Sequence, residues 1–392
     1  MSVALSGFGL GCGPTSDDGG SGGSAGSAGD SGSGGISGSG GDGGAGGAAG
    51  SGGAGGTAGS GGAGAAGGDD GSGGDGGAGG AAGSGGESGA GGDGGAGGIA
   101  NDPDLVASFD FSDALMSDDG VVHLYVDSQN RLERLDLAAR EWLAPLQGSS
   151  TTTAFAVSPH GASAYLSYVG GRIDEFDTGT GVRTFFSATP ETASTIHVVG
   201  PYLFTIDSSG AWDSHSLYDR ATGARVFSDE WRDTSRSMVY APNRERVLFL
   251  DSGSSPTDIN YVDVDTSMGT LSAEVDSPYH GSYSLPSPLR LTPDEQHVVV
   301  GNGNYFTVEA LEYATSFGLS FDDLVFYGDD LYLLDSIGQL AQIRVLDSAF
   351  NILHAEFVPG EARRFFEYDD ELAVITANAA GIEVRFLSLP LN

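Results

Sequence analysis

The hydrophobic pattern of the chain changes near residue 101. Before it, Gly, Ser and Ala recur with few larger apolar side chains, whereas after it short alternating apolar runs are separated by turn residues. Alternation of this kind predicts β-strands, and almost no stretch shows the period of an amphipathic helix. We therefore predict an all-β domain over 102–392, preceded by a long low-complexity segment.

One apolar run recurs through the second part of the chain, and we interpret it as the same central strand of successive units. Its copies lie at Val121–Asp127, Ala164–Val169, Tyr202–Asp207, Val247–Asp251, His297–Gly301, Leu331–Asp335 and Leu372–Thr376. From Tyr125 to Ala373 six steps cover 248 residues, which gives a mean period of about 41 residues. A period of about 40–45 residues with four strands per unit is typical of a β-propeller.

About seven blades are therefore expected in a closed ring. Their first strands should begin near Phe111, Thr153, Ser194, Arg236, Pro288, Asp322 and Arg364. The last blade has residues for only three strands before the chain ends. We expect Leu105–Asp110 to supply its fourth strand, because a velcro closure of this kind pairs both open sheet edges.

An aspartate followed four residues later by Gly or Asn is a second periodic marker. It occurs at Asp177–Gly181, Asp219–Gly223, Asp265–Gly269 and Asp347–Asn351, whereas Asp136 is followed at this offset by Arg140. The aspartate can accept backbone N–H groups, and the Gly or Asn is expected to supply the positive φ that closes a hairpin. The first two copies read Asp-x-x-Thr-Gly and place Phe185 and Phe227 eight residues after the aspartate.

The segment Ala156–Phe185, AVSPHGASAYLSYVGGRIDEFDTGTGVRTF, resembles one blade of the YVTN-type and WD-repeat-like bacterial propellers. Units of that family read as a Ser-Pro-Asp-Gly turn, a tyrosine-rich strand and an Asp-x-x-Thr-Gly hairpin. Leu291–Glu295 and Ala241–Arg244 are similar to the first turn in two further units. The resemblance covers about residues 105–392 and implies a propeller, but it implies no activity because this fold hosts many unrelated functions.

The net charge of the chain excludes some classes of binding partner. The chain has 53 acidic and 16 basic residues, every basic residue is arginine, and the net charge is −37. Subtracting the 11 acidic residues that precede Leu105 leaves 42 against 16 arginines, or −26, for the folded part. Such a surface repels nucleic acid and anionic lipid headgroups, so we expect neither as a partner. Residues 13–101 hold too few apolar side chains to offset the entropy of ordering and should form a disordered linker.

The single cysteine, Cys12, follows the short apolar stretch Val3–Leu10 and directly precedes the linker. This layout resembles a bacterial lipoprotein, although Gly9 stands where a lipobox prefers leucine and no positively charged segment comes first. We interpret residues 1–12 as a signal-like segment ending in a candidate lipidated cysteine. The protein is then extracytoplasmic, at a bacterial cell envelope, either lipid-anchored or secreted. The alternative is a lone thiol near a frayed terminus.

The sequence predicts no catalytic residue, no metal site and no cofactor. Its seven histidines are scattered without the HxH or HExxH spacing of zinc sites, and the absence of lysine excludes a Walker phosphate loop. The Asp-x-x-Thr-Gly-x-x-x-Phe repeats resemble the tryptophan-docking repeats of quinoprotein dehydrogenases, but with Phe in place of Trp we interpret them as structural turns. Acidic pairs such as Asp118 and Asp119 lack the spacing of a calcium loop.

Long aromatic loops are the candidate binding surface. We expect Trp212, Asp213 and His215 in a turn of the third blade, Trp231 and Arg232 in its exit loop, Asp258 in an extended turn of the fourth blade, and Tyr279, His280 and Tyr283 in the fourth exit loop. Exposed aromatic and polar side chains suit a protein, peptide or glycan ligand. The alternative is that these rings pack the loops against the blades.

The leading functional hypothesis is a monomeric binding or scaffold module displayed at the cell surface. The alternative is a propeller enzyme of the lactonase or lyase type, with a divalent cation held at the central channel. Three or four Asp, Glu, Asn or His side chains converging at the channel mouth would favour the enzyme. An aromatic patch there would favour the binding module.

Overall fold

A computed structural model describes residues 102–391, with gaps at 208–212, 232–234 and 252–256. These residues form a seven-bladed β-propeller whose sheets are antiparallel. The predicted linker at 13–100 and Cys12 lie outside the described residues, as does Asn101. In the described part of the chain, no helix is long and apolar enough to span a bilayer.

Blades 1 to 3 have four strands each, and the first strand of every blade lies innermost. Blade 1 contains β2 (Asp113–Met116), β3 (Val121–Val126), β4 (Arg131–Asp136) and β5 (Glu141–Gln147). Blade 2 contains β6 (Thr152–Val157), β7 (Ser163–Tyr168), β8 (Arg172–Asp177) and β9 (Arg183–Ala188). Blade 3 contains β10 (Ala193–Val199), β11 (Tyr202–Asp207), β12 (Asp213–Asp219) and β13 (Arg225–Trp231).

Blades 4 to 6 continue the same order. Blade 4 contains β14 (Ser235–Ala241), β15 (Arg246–Asp251), β16 (Ile259–Asp265) and two short outer strands, β17 (Thr270–Leu271) and β18 (Val275–Asp276). Blade 5 contains β19 (Leu289–Leu291), β20 (His297–Val300), β21 (Asn304–Thr307) and β22 (Tyr313–Ser316). Blade 6 contains β23 (Asp323–Tyr327), β24 (Asp330–Ile337), β25 (Leu340–Leu346) and β26 (Ile352–Pro359).

Blade 7 closes the ring with strands from both ends of the domain. Its strands are β27 (Glu361–Tyr368), β28 (Glu371–Asn378), β29 (Gly381–Ser388) and β1 (Leu105–Ala107). Leu105 pairs with Val384 and Ala107 with Ile382, so the predicted velcro closure is confirmed, with a strand that ends at Ala107 and not at Asp110 as predicted. Every inner strand begins within three residues of its predicted position.

The core lies between neighbouring blades. The seven predicted central strands are all the second strand of a blade, and β11 is buried along its whole length. Phe204 of β11 and Phe249 of β15, for example, belong to one buried cluster that joins blades 3 and 4. Because each sheet buries both faces against its neighbours, the apolar runs need the ring to be complete.

The aspartate hairpins form as predicted in three blades. Gly181, Gly223 and Gly269 have φ values of 70°, 70° and 66°. Oδ1 of Asp177 accepts the backbone N–H of Thr180 at 2.8 Å, and Oδ1 of Asp219 accepts that of Thr222 at the same distance.

The hairpins of blades 1 and 6 reach a positive φ without glycine. Arg140 itself adopts a φ of 53° in blade 1. In blade 6 the left-handed residue is Phe350, with a φ of 65°, and not Asn351 as predicted. Asn351 instead donates its backbone N–H to Asp347 Oδ1 at 2.8 Å, so its role in this turn is a hydrogen bond.

Candidate functional site

The inner strands enclose a central cavity of about 610 Å³. Its polar lining includes Asp113, His197, Arg290, Asp323 and Arg364. Every blade follows the same chain order, so the inner strands all run in one direction along the channel. Asp113 and Asp323 are the first residues of β2 and β23, and Arg290 is the second residue of β19, which places the three at the same mouth of the channel.

A β-bulge recurs near the start of the inner strands. The pairing register shifts at Thr152/Ala154, Ala193/Thr195, Arg236/Met238 and Ala362/Arg364. A bulge inserts one unpaired residue and redirects the side chains beside it. In β27 the inserted residue is Arg363, which bonds outside the channel to Asp110, whereas Arg364 lines the channel.

Asp323 lies at the centre of the channel mouth, and both of its carboxylate oxygens accept hydrogen bonds. Its Oδ1 accepts Arg290 Nε at 2.7 Å and the backbone N–H of Leu324 at 2.9 Å. Its Oδ2 accepts the backbone N–H of Phe365 at 2.8 Å. The side chain is 3 % exposed, so this carboxylate ties blades 5, 6 and 7 together from a buried position.

Arg364 connects this centre to the first blade. Its Nη2 donates a hydrogen bond to Asp113 Oδ1, and its Nη1 lies 4.0 Å from Asp323 Oδ1, beyond hydrogen-bond distance. Burial lowers the pKa of Arg364, but the charges of Asp323 and Asp113 outweigh burial and raise the pKa overall. The guanidinium therefore remains positively charged at any physiological pH.

His197 lies on β10 and lines the same cavity. Burial lowers its pKa, and the negative charge of Asp113 only partly offsets that effect. The ring is therefore neutral near pH 7, where it offers one donor nitrogen and one acceptor nitrogen.

The donor set at the channel mouth does not fit a divalent cation. Both oxygens of Asp323 and Oδ1 of Asp113 already accept hydrogen bonds, which leaves only Asp113 Oδ2 free, whereas a divalent cation needs several oxygen ligands. Across the described ranges, no group of three or more His, Cys, Asp or Glu side chains is arranged to hold a metal ion. The described residues therefore do not form the converging ligand set that the metal-dependent alternative predicts at the channel mouth.

Among the residues predicted to form the aromatic site of blade 3, one lies in the core and two fall outside the described residues. His215 lies on β12 and not in a turn, and its ring packs at 5.3 Å from Phe204 and 5.8 Å from Phe249. It is completely buried, so this histidine belongs to the interface between blades 3 and 4. Trp212 and Arg232 fall outside the described residues.

The backbones of Asp213 and Trp231 are described, and they pair with each other across β12 and β13. Trp231 therefore ends a strand and does not lie in the exit loop.

Blade 4 does bring two of the predicted residues together. His280 Nδ1 lies 3.3 Å from Asp258 Oδ2, while Asp258 Oδ1 accepts the backbone N–H of Ile259 at 2.8 Å and the hydroxyl of Ser277. The Asp258 side chain is nearly buried, whereas that of His280 is 73 % exposed. The carboxylate thus orients a histidine that faces solvent.

Tyr279 and Tyr283 pack the exit loop of blade 4 against blade 5. Tyr283 stacks on Tyr313 with ring centroids 4.7 Å apart, and the hydroxyl of Tyr279 accepts the backbone N–H of Tyr313 at 3.0 Å. Both rings also pack on the buried Phe306. These contacts support the alternative in which the rings hold the loop on the blades.

The charged group at the channel mouth was not predicted as a site from the sequence. Their positions in the sequence could have identified these residues, because Arg290, Asp323 and Arg364 each fall within two residues of a predicted blade start. A charged residue at the start of an inner strand has to face either the channel or the next blade.

Comparison with known proteins identifies the fold alone. No protein-family model matches the chain, and no curated protein matches it either. Among solved structures, Kuenenia stuttgartiensis hydrazine synthase is 14 % identical with a TM-score of 0.51, covering 71 % of this chain and 95 % of that chain. The β-propeller domain of Myceliophteria thermophila Cps50 (Swd1) is 12 % identical with a TM-score of 0.54, covering 73 % of this chain and 99 % of that domain. The chain is similar to both in having a β-propeller.

Proposed function

We propose that the protein is a binding or scaffold module that presents a rigid acidic propeller to a partner protein or peptide with a basic surface. The observation that supports this proposal is the pairing of the arginines with carboxylates. Eleven of the 16 arginines form ion pairs with carboxylates in the described residues. Most of the positive charge is thus neutralised within the domain, and most of the carboxylates without an arginine partner are exposed or half-exposed. A surface of one sign selects partners of the other sign and speeds their association.

The proposed location is extracytoplasmic, at a bacterial envelope, with Cys12 as the lipid anchor and residues 13–101 as a flexible linker. The resemblance of Ala156–Phe185 to YVTN-type propellers supports this setting. A fatty-acid probe tests the anchor in cells that produce either the wild type or Cys12→Ser. Equal labelling of the two would contradict lipidation.

Salt-controlled capture tests the binding proposal. The immobilised full chain is exposed to envelope extract at about 50 mM and about 500 mM salt, and dissociation constants are then measured for the captured proteins. The matched variant carries Glu191→Gln, Glu230→Gln and Asp276→Asn, which remove three exposed carboxylates that form no ion pair in the described residues. We expect basic partners whose affinity falls with salt and in the variant. Partners that respond to neither change would overturn the proposal.

Metal analysis of the purified full chain tests the enzymatic alternative. A tightly held cation at a stoichiometry of about one would favour the enzyme over the binding module.

A further inference from the structure

The channel mouth keeps hydrogen-bonding capacity after its ion pairs have formed. Arg364 uses only Nη2, so its Nε and Nη1 donate no hydrogen bond to any described residue. Asp113 uses only Oδ1, which accepts Arg364 Nη2 and the backbone N–H of Ala114, and its side chain is 48 % exposed. Oδ2 of Asp113 has no partner among the described residues. Arg364 and Asp113 therefore each present unused hydrogen-bonding atoms to the same cavity.

The two free groups are neighbours, because Arg364 and Asp113 are bonded to each other. A ligand that uses both must carry its negative and positive groups close together. An α-amino acid does so, since its carboxylate and ammonium are attached to one carbon atom. The guanidinium suits the carboxylate through charge-assisted hydrogen bonds, and Asp113 Oδ2 suits the ammonium.

The rest of the cavity can take the remainder of such a ligand. Leu115, Met238 and Val325 contribute apolar side chains to the lining, and the neutral ring of His197 contributes one donor and one acceptor. The volume of about 610 Å³ lies within the range of ordinary small-molecule sites, about 300–1,000 Å³. An apolar amino-acid side chain therefore has both room and contacts.

The charge of the whole domain disfavours an anionic ligand. With 42 acidic residues against 16 arginines after Asp104, the field of the propeller opposes the approach of a simple anion. A zwitterion does not meet this barrier, yet it presents a carboxylate to Arg364 on arrival.

From these observations we infer that the channel mouth binds a small zwitterion, an α-amino acid with an apolar side chain, between Arg364 and Asp113. This site is separate from the acidic outer surface proposed above for a macromolecular partner, and neither proposal depends on the other.

Isothermal titration of the full chain with alanine, leucine and phenylalanine tests the site, with propionate and ethylamine as single-charge probes. We expect at least one amino acid to bind with a dissociation constant below about 10 mM, and both single-charge probes to bind at least about tenfold more weakly than it does. Absence of binding by all three amino acids would overturn the inference. Binding of propionate as tight as that of the amino acid would also overturn it, because the site would then recognise only a carboxylate.

Two variants separate the roles of the charged groups. Arg364→Gln should weaken amino-acid binding at least about tenfold, whereas Asp113→Asn, which keeps the side-chain shape, should remove the preference for the amino acid over propionate. Arg363→Gln is the matched control, because Arg363 bonds to Asp110 outside the channel and should leave the affinity unchanged. Melting curves identify any variant that fails to fold, and Asp113→Asn still decides the question if Arg364→Gln is unstable. Unchanged preference in folded Asp113→Asn would contradict the assignment.

Discussion

The guanidinium of Arg364 is hydrogen-bonded to Asp113 although 251 residues separate them in the chain. The bond joins the inner strand of blade 7 to that of blade 1, across the seam where the ring closes. Two further contacts attach the residues that flank β1 to blade 7: Arg363 Nη2 donates to Asp110 Oδ2 at 3.0 Å, and the backbone N–H of Phe386 donates to Asp104 Oδ2 at 2.8 Å. The ring closure is therefore held by side chains on both sides of β1 as well as by the strand itself.

A double-mutant cycle measures the contribution of this pair. Arg364→Gln, Asp113→Asn and the double variant are compared by urea unfolding at low salt. We expect a coupling free energy of about 0.5–1 kcal/mol, modest because the Asp113 side chain is half exposed and water screens it. The control cycle uses Arg140 and Glu371, an ion pair between the same two blades with side chains 45 % and 32 % exposed. A control coupling as large as that of the channel pair would contradict a special role for the channel pair.

Deleting residues 101–110 should destabilise the propeller, because it removes β1 and exposes the edge of β29. It also removes Phe109, whose ring lies 5.4 Å from that of Trp142 in an edge-to-face contact. We expect the melting temperature to fall by at least about 5 °C, since several kcal/mol of packing and pairing are lost. Deleting residues 81–90 shortens the chain equally within the low-complexity segment and should leave the melting temperature unchanged. Equal melting of the two deletions would refute the closure as a source of stability.

The blades were predictable because their signal is local and repeated. A central strand such as Tyr202–Asp207 is apolar along its whole length, and the structure starts and ends it at the predicted residues. The closing strand followed from counting, because a ring with three strands in its last blade needs a fourth from elsewhere.

The channel mouth was not predictable in the same way. The placement of Arg364 depends on the one-residue bulge of β27, and no single residue type marks such a bulge: Thr153, Ser194, Ser237 and Arg363 occupy equivalent positions. Without the bulge, Arg363 and Arg364 would exchange faces of β27. The burial of His215 was not predictable for a different reason. Nothing in the local sequence distinguishes a histidine buried between two phenylalanine rings from an exposed one.

Two glycines of the same turn motif should differ in their tolerance to alanine. Gly181 and Gly223 share a φ of 70°, but a Cβ at Gly223 would lie 2.2 Å from the carbonyl oxygen of Phe186, whereas nothing lies within 4 Å at Gly181. Gly181→Ala should cost about 1 kcal/mol through backbone strain alone. Gly223→Ala should cost about 1–3 kcal/mol more, because blade 2 must shift to relieve the clash.

Urea unfolding of both alanine variants measures this difference. Arg140, which already has a φ of 53° in the blade 1 hairpin, offers a reverse control. Arg140→Gly should relieve backbone strain there, although it also removes the contacts of the arginine side chain. Equal losses at Gly181 and Gly223 would show that the packing of the blade 3 turn on blade 2 contributes little.

Stability should fall as the pH is lowered from about 6.5 to about 4, in part because of His123. Burial and, to a lesser extent, the charge of Arg134 lower the pKa of this histidine to about 4, and the backbone of Val121 and the charge of Asp119 offset only part of the shift. The side chain is 1 % exposed, and neither ring nitrogen has a hydrogen-bond partner in the described residues. Between the two pKa values the unfolded chain binds a proton that the native state excludes, so acid favours unfolding. The full effect of this one group is about 3 kcal/mol.

His123→Phe isolates that contribution, because a planar aromatic ring is kept while the titrating group is lost. The unfolding free energy of the wild type should decline relative to the variant as the pH falls through this window, and the two curves should run parallel above about pH 7. His160→Gln is the control for the loss of a histidine at the surface, since the His160 side chain is 88 % exposed. His197 and His215 also have pKa values lowered by burial, so the variant should keep some of the acid sensitivity. A His123→Phe curve parallel to the wild type from pH 7 to pH 4 would mean that the propeller opens enough at blade 1 to let water solvate the imidazolium.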